Sequence, residues 1–365
     1  MRFSIDYLNN IFEITGITVK ALARKLKAPS EDIENWKKGI SCPTEEQLEA
    51  LNNFIKIADE PALEGPRIAS INLDSRIINA DCRNYLTEIP DNSIDMILSD
   101  IPYGIGLDDW DVLHDNKNSA YMGTSDAQKV AGKVFEKRRK PINGWSKADK
   151  NIPHEFYNWC RTWSSEWLRV LKPGGSAFVF SGRRYSHRCI SALEDDGFNL
   201  RDILSWKREK ATFKAQSISK VYQKRGCIAE AKKWEGWRVG NLQPIFEPII
   251  WCFKPYSDTI AENMLDHNLG AINMQRLEEI TGSKSNALQF DFEKGEKGHH
   301  EAQKPISLLK CLIEMCTVEG TIVLDPFAGS CSTAVAAIQT NRKYIAIEAD
   351  KDIFDKAEKR LKELL

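Results

Sequence analysis

The sequence predicts an α/β fold built on a mostly parallel sheet, with a small all-α unit ahead of it. Three observations predict this. Short apolar, β-branched runs recur between helical patterns at residues 76–82, 93–99, 176–180, 200–206, 320–324 and 342–347, the rhythm of strand, crossover helix and strand. Several of these runs end in an acid at Asp81, Asp100, Asp325 and Glu348. In an open α/β sheet, ligands sit just past the carboxyl ends of the strands, so these acids stand where chemistry is done. The first 62 residues, by contrast, show only helical spacing. The 365 residues suffice for one large domain and one small one.

Composition is that of a globular protein, 42% hydrophobic and 28% charged with a net charge of -1. No apolar run approaches a membrane span, and the start Met1-Arg2-Phe3-Ser4-Ile5-Asp6 lacks a signal-peptide core. The nine cysteines are scattered without a Cys-x-x-Cys pair, and Cys311 and Cys316 lack a histidine pair to complete a zinc pattern. Reduced thiols in a cytoplasmic protein are therefore expected, with no metal. The near-zero net charge hides two basic stretches. Lys207 to Gly240 holds ten Lys/Arg against three acids, and Lys129 to Lys150 eight against two. Such stretches attract a polyanion or form solvated loops.

Residues 1–62 read as a helical unit. Phe3 to Ile14 is amphipathic, Val19 to Leu26 turns Leu22, Ala23 and Leu26 inward, and Ser30 is the expected N-cap of a helix carrying Ile33 and Trp36 and ending at Gly39. Thr44-Glu45-Glu46-Gln47 has capping-box spacing. The run from Thr18 to Ile55 resembles the Cro/repressor helix-turn-helix family, which implies DNA contact through the Ser30 to Lys38 helix. Glu31, Asp32 and Glu34 crowd that helix and repel phosphates, so a protein-contact or dimerisation module is the alternative.

Residues 63–75 form a linker, and 76–365 the main domain. Arg76 to Cys82 is a strand, Leu86 to Ile89 a short helix, and Ser93 to Ser99 the next, parallel strand. Asp100-Ile101-Pro102-Tyr103-Gly104 follows as a proline-stiffened turn. Residues 106–153 are long, polar and basic, and read as a lid or insertion. Phe156 to Leu171 is a helix whose Trp159, Trp163 and Trp167 form a core stripe. Lys172-Pro173-Gly174-Gly175 is expected to break it ahead of a strand at Ser176 to Phe180. A helix around Tyr185 to Glu194 and a strand at Leu200 to Trp206 come next. Phe246 to Phe253 is expected as an antiparallel strand at the sheet edge. Leu308 to Cys316 is an apolar helix, then Gly320 to Asp325 is a strand running into Pro326-Phe327-Ala328-Gly329-Ser330. The helix Ser332 to Gln339 and a strand ending at Glu348 complete a nucleotide-type arrangement.

Together these residues resemble the β-class amino-methylating DNA methyltransferases. Asp100-Ile101-Pro102-Tyr103 resembles their Asp-Pro-Pro-Tyr catalytic tetrad. Asp325-Pro326-Phe327-Ala328-Gly329-Ser330 resembles their S-adenosyl-L-methionine loop, and Glu348 their ribose-binding acid. His300 and Lys304 fit the His-x-x-x-Lys-Pro element before that loop, and Asp81 the contact to the cofactor adenine. The resemblance covers residues 74–365. It implies a Rossmann-like S-adenosylmethionine-dependent methyltransferase fold with circularly permuted motif order, the catalytic motif preceding the cofactor motif. Two positions depart from the pattern: Ile101 replaces the first proline of the tetrad, and Cys331-Ser332 stands where Gly-Thr is usual.

The implied activity is transfer of a methyl group to the N6 amine of an adenine flipped out of duplex DNA. Asp100 and the Ile101 carbonyl would accept the amine hydrogens, and Tyr103 would stack on the base. Aspartate at the head of the tetrad goes mostly with adenine, serine with cytosine N4. Methylation of cytosine N4 or of RNA, or a non-catalytic S-adenosylmethionine-binding DNA regulator, are the alternatives. Residues 207–245 are expected to read the target, with Lys207, Arg208, Lys210, Lys224, Arg225, Trp237 and Arg238 on double-stranded DNA; the 106–153 lid is the competing candidate. The implied setting is the cytoplasm of a bacterial or phage-infected cell, with a homodimer and a restriction endonuclease as further partners.

Overall fold

The computed structural model describes residues 3–58, 67–68, 71, 73–103, 147–209, 215–240, 242–257, 259–293, 296 and 303–364. Gly104, Lys210, His300 and residues 106–146 of the expected lid lie outside the described residues. The chain divides into two compact units, Met1–Glu64 and Gly65–Leu365.

The first unit contains helices α1 (Ile5–Thr15), α2 (Val19–Lys25), α3 (Ser30–Lys37) and α4 (Glu45–Ala58). Leu8, Ile11, Leu22, Ala23, Leu26, Ile33, Trp36 and Leu51 form its core. The capping box closes as its spacing predicts: Gln47 N donates to Thr44 Oγ1 at 3.2 Å, and Thr44 N to Gln47 Oε1 at 2.8 Å. Ser30 is not a cap. It is the first helical residue, and Pro29 precedes it without a side-chain bond; proline's fixed φ already sets the entry angle.

The second unit opens with β1 (Arg76–Asn79), α5 (Cys82–Tyr85), a 3₁₀ turn at Leu86–Glu88 and β2 (Ile94–Asp100). Then come α6 (Lys147–Val170), β3 (Leu171–Phe180), α7 (Ser186–Asp195) and β4 (Asn199–Lys207). A small excursion follows with β5 (Ala215–Ser217), α8 (Ile218–Lys224), α9 (Ile228–Lys233) and β6 (Arg238–Gly240). The chain returns through β7 (Phe246–Phe253), α10 (Ile260–His267), α11 (Met274–Thr281) and β8 (Ala287–Gln289). It ends with α12 (Ile306–Cys316), β9 (Ile322–Asp325), α13 (Ser332–Gln339), β10 (Lys343–Glu348) and α14 (Lys351–Lys362). Among the described residues no helix is long and apolar enough to cross a membrane, and all nine cysteines are free.

Eight strands form one sheet in the order β1-β10-β9-β2-β3-β7-β4-β8. β1, β10, β9, β2 and β3 are mutually parallel, and β7 runs antiparallel to both β3 and β4. Helices cover both faces, so the strands are apolar on both sides. Met96, Leu98, Phe178 and Val323 pack against α12 and α13. Ile97, Ala177, Val179 and Leu324 pack against α6 and α7. Trp163 and Trp167 are fully buried in that second layer, as the stripe reading requires.

Three local expectations are corrected. Phe246–Phe253 is antiparallel as expected but lies inside the sheet, between β3 and β4, and the short β8 takes the edge. Lys172–Gly175 does not separate helix from strand; it belongs to β3. Gly175 makes that path passable, because a Cβ there would sit 2.9 Å from the Asp95 carbonyl, and Lys172 is anchored by Asp95 at 2.5 Å. The register of β2 on β3 shifts beside it, between Ile94 and Met96. Finally, α6 begins at Lys147 and includes Pro153. Buried Ile152 and Phe156, four residues apart, extend the apolar stripe a turn ahead of Trp159.

Candidate active site

The strand order reverses between β9 and β2. From β9 the chain proceeds outward to β10, and from β2 it proceeds the other way to β3. The crevice past the carboxyl ends at such a switch point is where ligands bind in open α/β sheets. Asp100 ends β2 and Asp325 ends β9. Both face a cavity of about 500 Å³, within the range of small-molecule sites. Its walls include Asp81, Asp100, Pro102, Lys304, Asp325 to Ser330 and Glu348. The two signals read from distant parts of the chain thus meet in one site.

Burial pushes the Asp100 carboxyl up to about 6, against the pull of the Lys304 ammonium. Lys304 is itself buried and pairs with Asp100 Oδ2. The other oxygen, Oδ1, is buried and accepts no hydrogen bond. A buried carboxylate oxygen left open is an acceptor for a group the site is built to receive. Ile101 is buried, and its N–H donates to the Phe180 carbonyl at 3.3 Å, a bond a proline could not make. Tyr103 packs over Gly182, where a Cβ would come within 3.1 Å of the Tyr103 Cβ. The Tyr103 hydroxyl donates to Glu247 Oε2 at 3.2 Å.

Burial also pushes Asp325 up to about 6. Its Oδ1 accepts from Ser99 Oγ at 2.7 Å and from the Phe327 N–H at 3.2 Å, so the acid shapes the loop that follows it. Phe327 lies against Trp159, Trp163 and Trp167 with ring centroids 5.6, 6.0 and 6.3 Å away. The tryptophan stripe is therefore core and loop support at once. Glu348 accepts the Gly329 and Asp350 N–H groups, each at 2.8 Å, and burial raises its carboxyl. Asp81 caps α5 through the Arg83 N–H and pairs with the Arg83 guanidinium, whose hydrogen bond is the main force lowering its carboxyl.

Cys331 stands where the resemblance calls for glycine. It adopts the left-handed conformation with φ 60 and is fully buried. The chain keeps the glycine's backbone shape at a cost of about 1–2 kcal/mol. Arg360 of α14 fastens the same turn, donating to the Ser330 carbonyl at 2.7 Å. Neither Arg360, Glu247 nor Gly182 carries a signal in the linear sequence.

The residues expected on DNA lie apart from this cavity. Lys224, Arg225, Trp237 and Arg238 are exposed on the excursion formed by β5, α8, α9 and β6, and Lys207 is exposed at the end of β4. Trp237 meets Trp234 edge to face at 5.5 Å. Arg208 is differently placed. Its guanidinium pairs with Glu247 at 2.7 Å, so it is committed to the protein.

Comparison with known proteins places this architecture. The DNA methylase family model of N6 and N4 enzymes matches residues 94–359. The chain is 48% identical over 292 residues to the type II methyltransferase M.HindIII of Haemophilus influenzae, covering 78% of this chain and 94% of that protein. It is 26% identical over 294 residues to the type II methyltransferase M.HinfI of Haemophilus influenzae, with coverage of 79% and 68%. The solved structure of the PvuII DNA methyltransferase, cytosine-N4-specific, superposes with a TM-score of 0.51 at 16% identity, over 81% of this chain and 89% of that one. The chain belongs to the N6/N4 DNA methylase family.

Proposed function

We propose that the protein transfers a methyl group from S-adenosyl-L-methionine to the N6 amine of an adenine flipped out of double-stranded DNA. The observation that carries this reading is the open, buried Oδ1 of Asp100 at the rim of the cavity. The cavity suits the cofactor. Asp81, Asp325 and Glu348 offer acceptors for hydroxyl and ammonium groups, and Phe327, Ile347 and Ile353 offer apolar surface for an adenine ring. Gly329, with φ 51, leaves open space where a side chain would stand. Bound there, the cofactor supplies an electrophilic methyl on a sulfonium, which needs no metal to activate it.

The chain's own residues prepare the nucleophile. An exocyclic amine is weak because its lone pair is delocalised into the ring. Asp100 Oδ1 accepts one N–H and the Ile101 carbonyl the other, favouring a pyramidal nitrogen whose lone pair is free to attack. The bond from nitrogen to the methyl carbon would form as the carbon–sulfur bond breaks and the sulfur leaves as a neutral thioether. The nitrogen would pass its surplus proton to the Asp100 carboxylate it already faces, and from there to solvent. Lys304 keeps Asp100 ionised for this role. Tyr103 stacks on the base and offsets part of its unstacking cost of a few kcal/mol. Holding amine and methyl in line supplies much of the rate. Lys207, Lys224, Arg225, Trp237 and Arg238 meet the duplex, and the helical unit of residues 1–62 adds affinity or assembly. A restriction endonuclease of the same target sequence is the partner this activity implies.

Adenine is preferred to cytosine on the aspartate that opens the tetrad. Incubation with methyl-labelled S-adenosylmethionine and unmethylated genomic DNA, followed by nucleoside analysis, tests the reading. Label in N6-methyladenine is expected. Label in N4-methylcytosine would replace the substrate, and label in RNA but not DNA would overturn the proposal.

A further inference from the structure

Glu247 takes no part in the proposed chemistry, yet it is the residue on which the catalytic end of the site converges. It lies near the start of β7, opposite Trp206 of β4 in the sheet register. Three charged or polar groups surround it from three other elements. The Tyr103 hydroxyl, just past β2, donates to Oε2 at 3.2 Å. The Lys304 ammonium, ahead of α12, lies 4.0 Å from the same oxygen while pairing with Asp100. The Arg208 guanidinium, just past β4, pairs with Oε1 at 2.7 Å. Its carboxylate is largely sheltered from solvent, 18% exposed, where such contacts are screened least.

Arg208 and Glu247 also flank the segment of residues 209–245. The two chain ends of that segment are zipped together: Arg208 N donates to the Ile245 carbonyl at 2.8 Å, and the Arg208 guanidinium reaches the Pro244 carbonyl at 3.5 Å. The root of the segment and the Tyr103 and Lys304 side chains thus meet on a single carboxylate.

We propose that Glu247 is a positioning residue for methyl transfer, fixing the Tyr103 ring and the Lys304 ammonium and tying both to the root of the 207–245 segment. The inference rests on the proposed function. Glu247 touches neither the base nor the cofactor in this account. It acts through Tyr103, which stacks, and through Lys304, which holds Asp100 ionised. Its negative charge opposes ionisation of Asp100, so a neutral residue at 247 has two opposing consequences: a disordered stacking ring, and an Asp100 that ionises more readily.

These consequences separate positioning from simple structural support. Methyl transfer to unmethylated genomic DNA is measured under single turnover from pH 5 to 9, with S-adenosylmethionine affinity measured by calorimetry. Glu247→Gln is expected to slow transfer about ten- to hundredfold, leave cofactor affinity within about twofold, and move the acid limb of the rate profile to lower pH. Glu247→Asp is expected to recover part of the rate. In a double-mutant cycle, Glu247→Gln and Tyr103→Phe are expected to be less than additive, since both disturb the Tyr103–Glu247 contact. Wild-type rates, an unmoved acid limb, additive losses, or a cofactor affinity that falls with the rate would each overturn the proposal. If Glu247→Gln does not fold, Tyr103→Phe and Arg208→Met read the two contacts separately, and wild-type rates in both would overturn it. Absence of methyl transfer by the unmodified protein would overturn the underlying function and this inference with it.

Discussion

Asp100 and Asp325 end neighbouring strands of one sheet, and burial pushes both carboxyls up to about 6. What surrounds their oxygens differs. Asp325 takes two internal hydrogen bonds on Oδ1, from the Ser99 hydroxyl and the Phe327 N–H, and these set the shape of the loop behind it. Asp100 has a buried cation on one oxygen, while the other accepts no hydrogen bond and the Tyr103 hydroxyl stands close enough to the carboxyl to favour its ionised form. The first arrangement builds a pocket. The second leaves an ionised acceptor waiting for a donor, a state a protein maintains only against a desolvation cost. Burial alone therefore does not mark a catalytic acid. The vacancy beside a compensating charge does.

Truncating each acid in turn separates the two roles most strongly. Asp100→Ala is expected to slow methyl transfer about 10²–10⁴-fold while S-adenosylmethionine still binds in calorimetry. Asp325→Ala is expected to weaken that binding about 10- to 100-fold, the worth of a lost charge-assisted hydrogen bond. Equal loss of cofactor affinity in both variants would erase the distinction. A smaller effect should follow at Gly182, beneath Tyr103. Gly182→Val forces the ring away from its place and is expected to slow transfer about ten- to hundredfold, again sparing cofactor affinity. An unchanged rate would show that the ring is not held there. The smallest effect on chemistry is expected from removing residues 1–62. The remaining unit has its own core, so single-turnover transfer at saturating DNA should stay within about twofold, whereas DNA affinity or oligomeric state should change. Unchanged affinity and assembly would leave the N-terminal unit without a role in either.

Much of this site is legible in the sequence because its parts are contiguous. Asp100 to Tyr103 and Asp325 to Ser330 each follow directly from an apolar strand, so strand, turn and acid can be read in a single stretch. What joins them cannot be read that way. Glu247 meets Tyr103 across 144 residues, and only the antiparallel insertion of β7 between β3 and β4 brings it there. Reading Phe246–Phe253 as an edge strand misses this, since an apolar run reveals burial but not which strands flank it. Gly182 is invisible for a similar reason: its role is set by a ring 79 positions earlier that folds back over it. Lys172–Gly175 shows the converse error. Proline and glycines signal a break locally, but the close approach of β2 requires a residue without a Cβ, and the sheet takes the segment in.

The rate profile of methyl transfer against pH reads the ionisation of Asp100 at work. The carboxylate is the active form and its carboxyl is raised to about 6, so the single-turnover rate should fall as pH drops through about 6. Lys304 holds Asp100 down, so Lys304→Met should move that acid limb to higher pH. A profile flat to pH 5, or an acid limb that Lys304→Met leaves in place, would contradict the account.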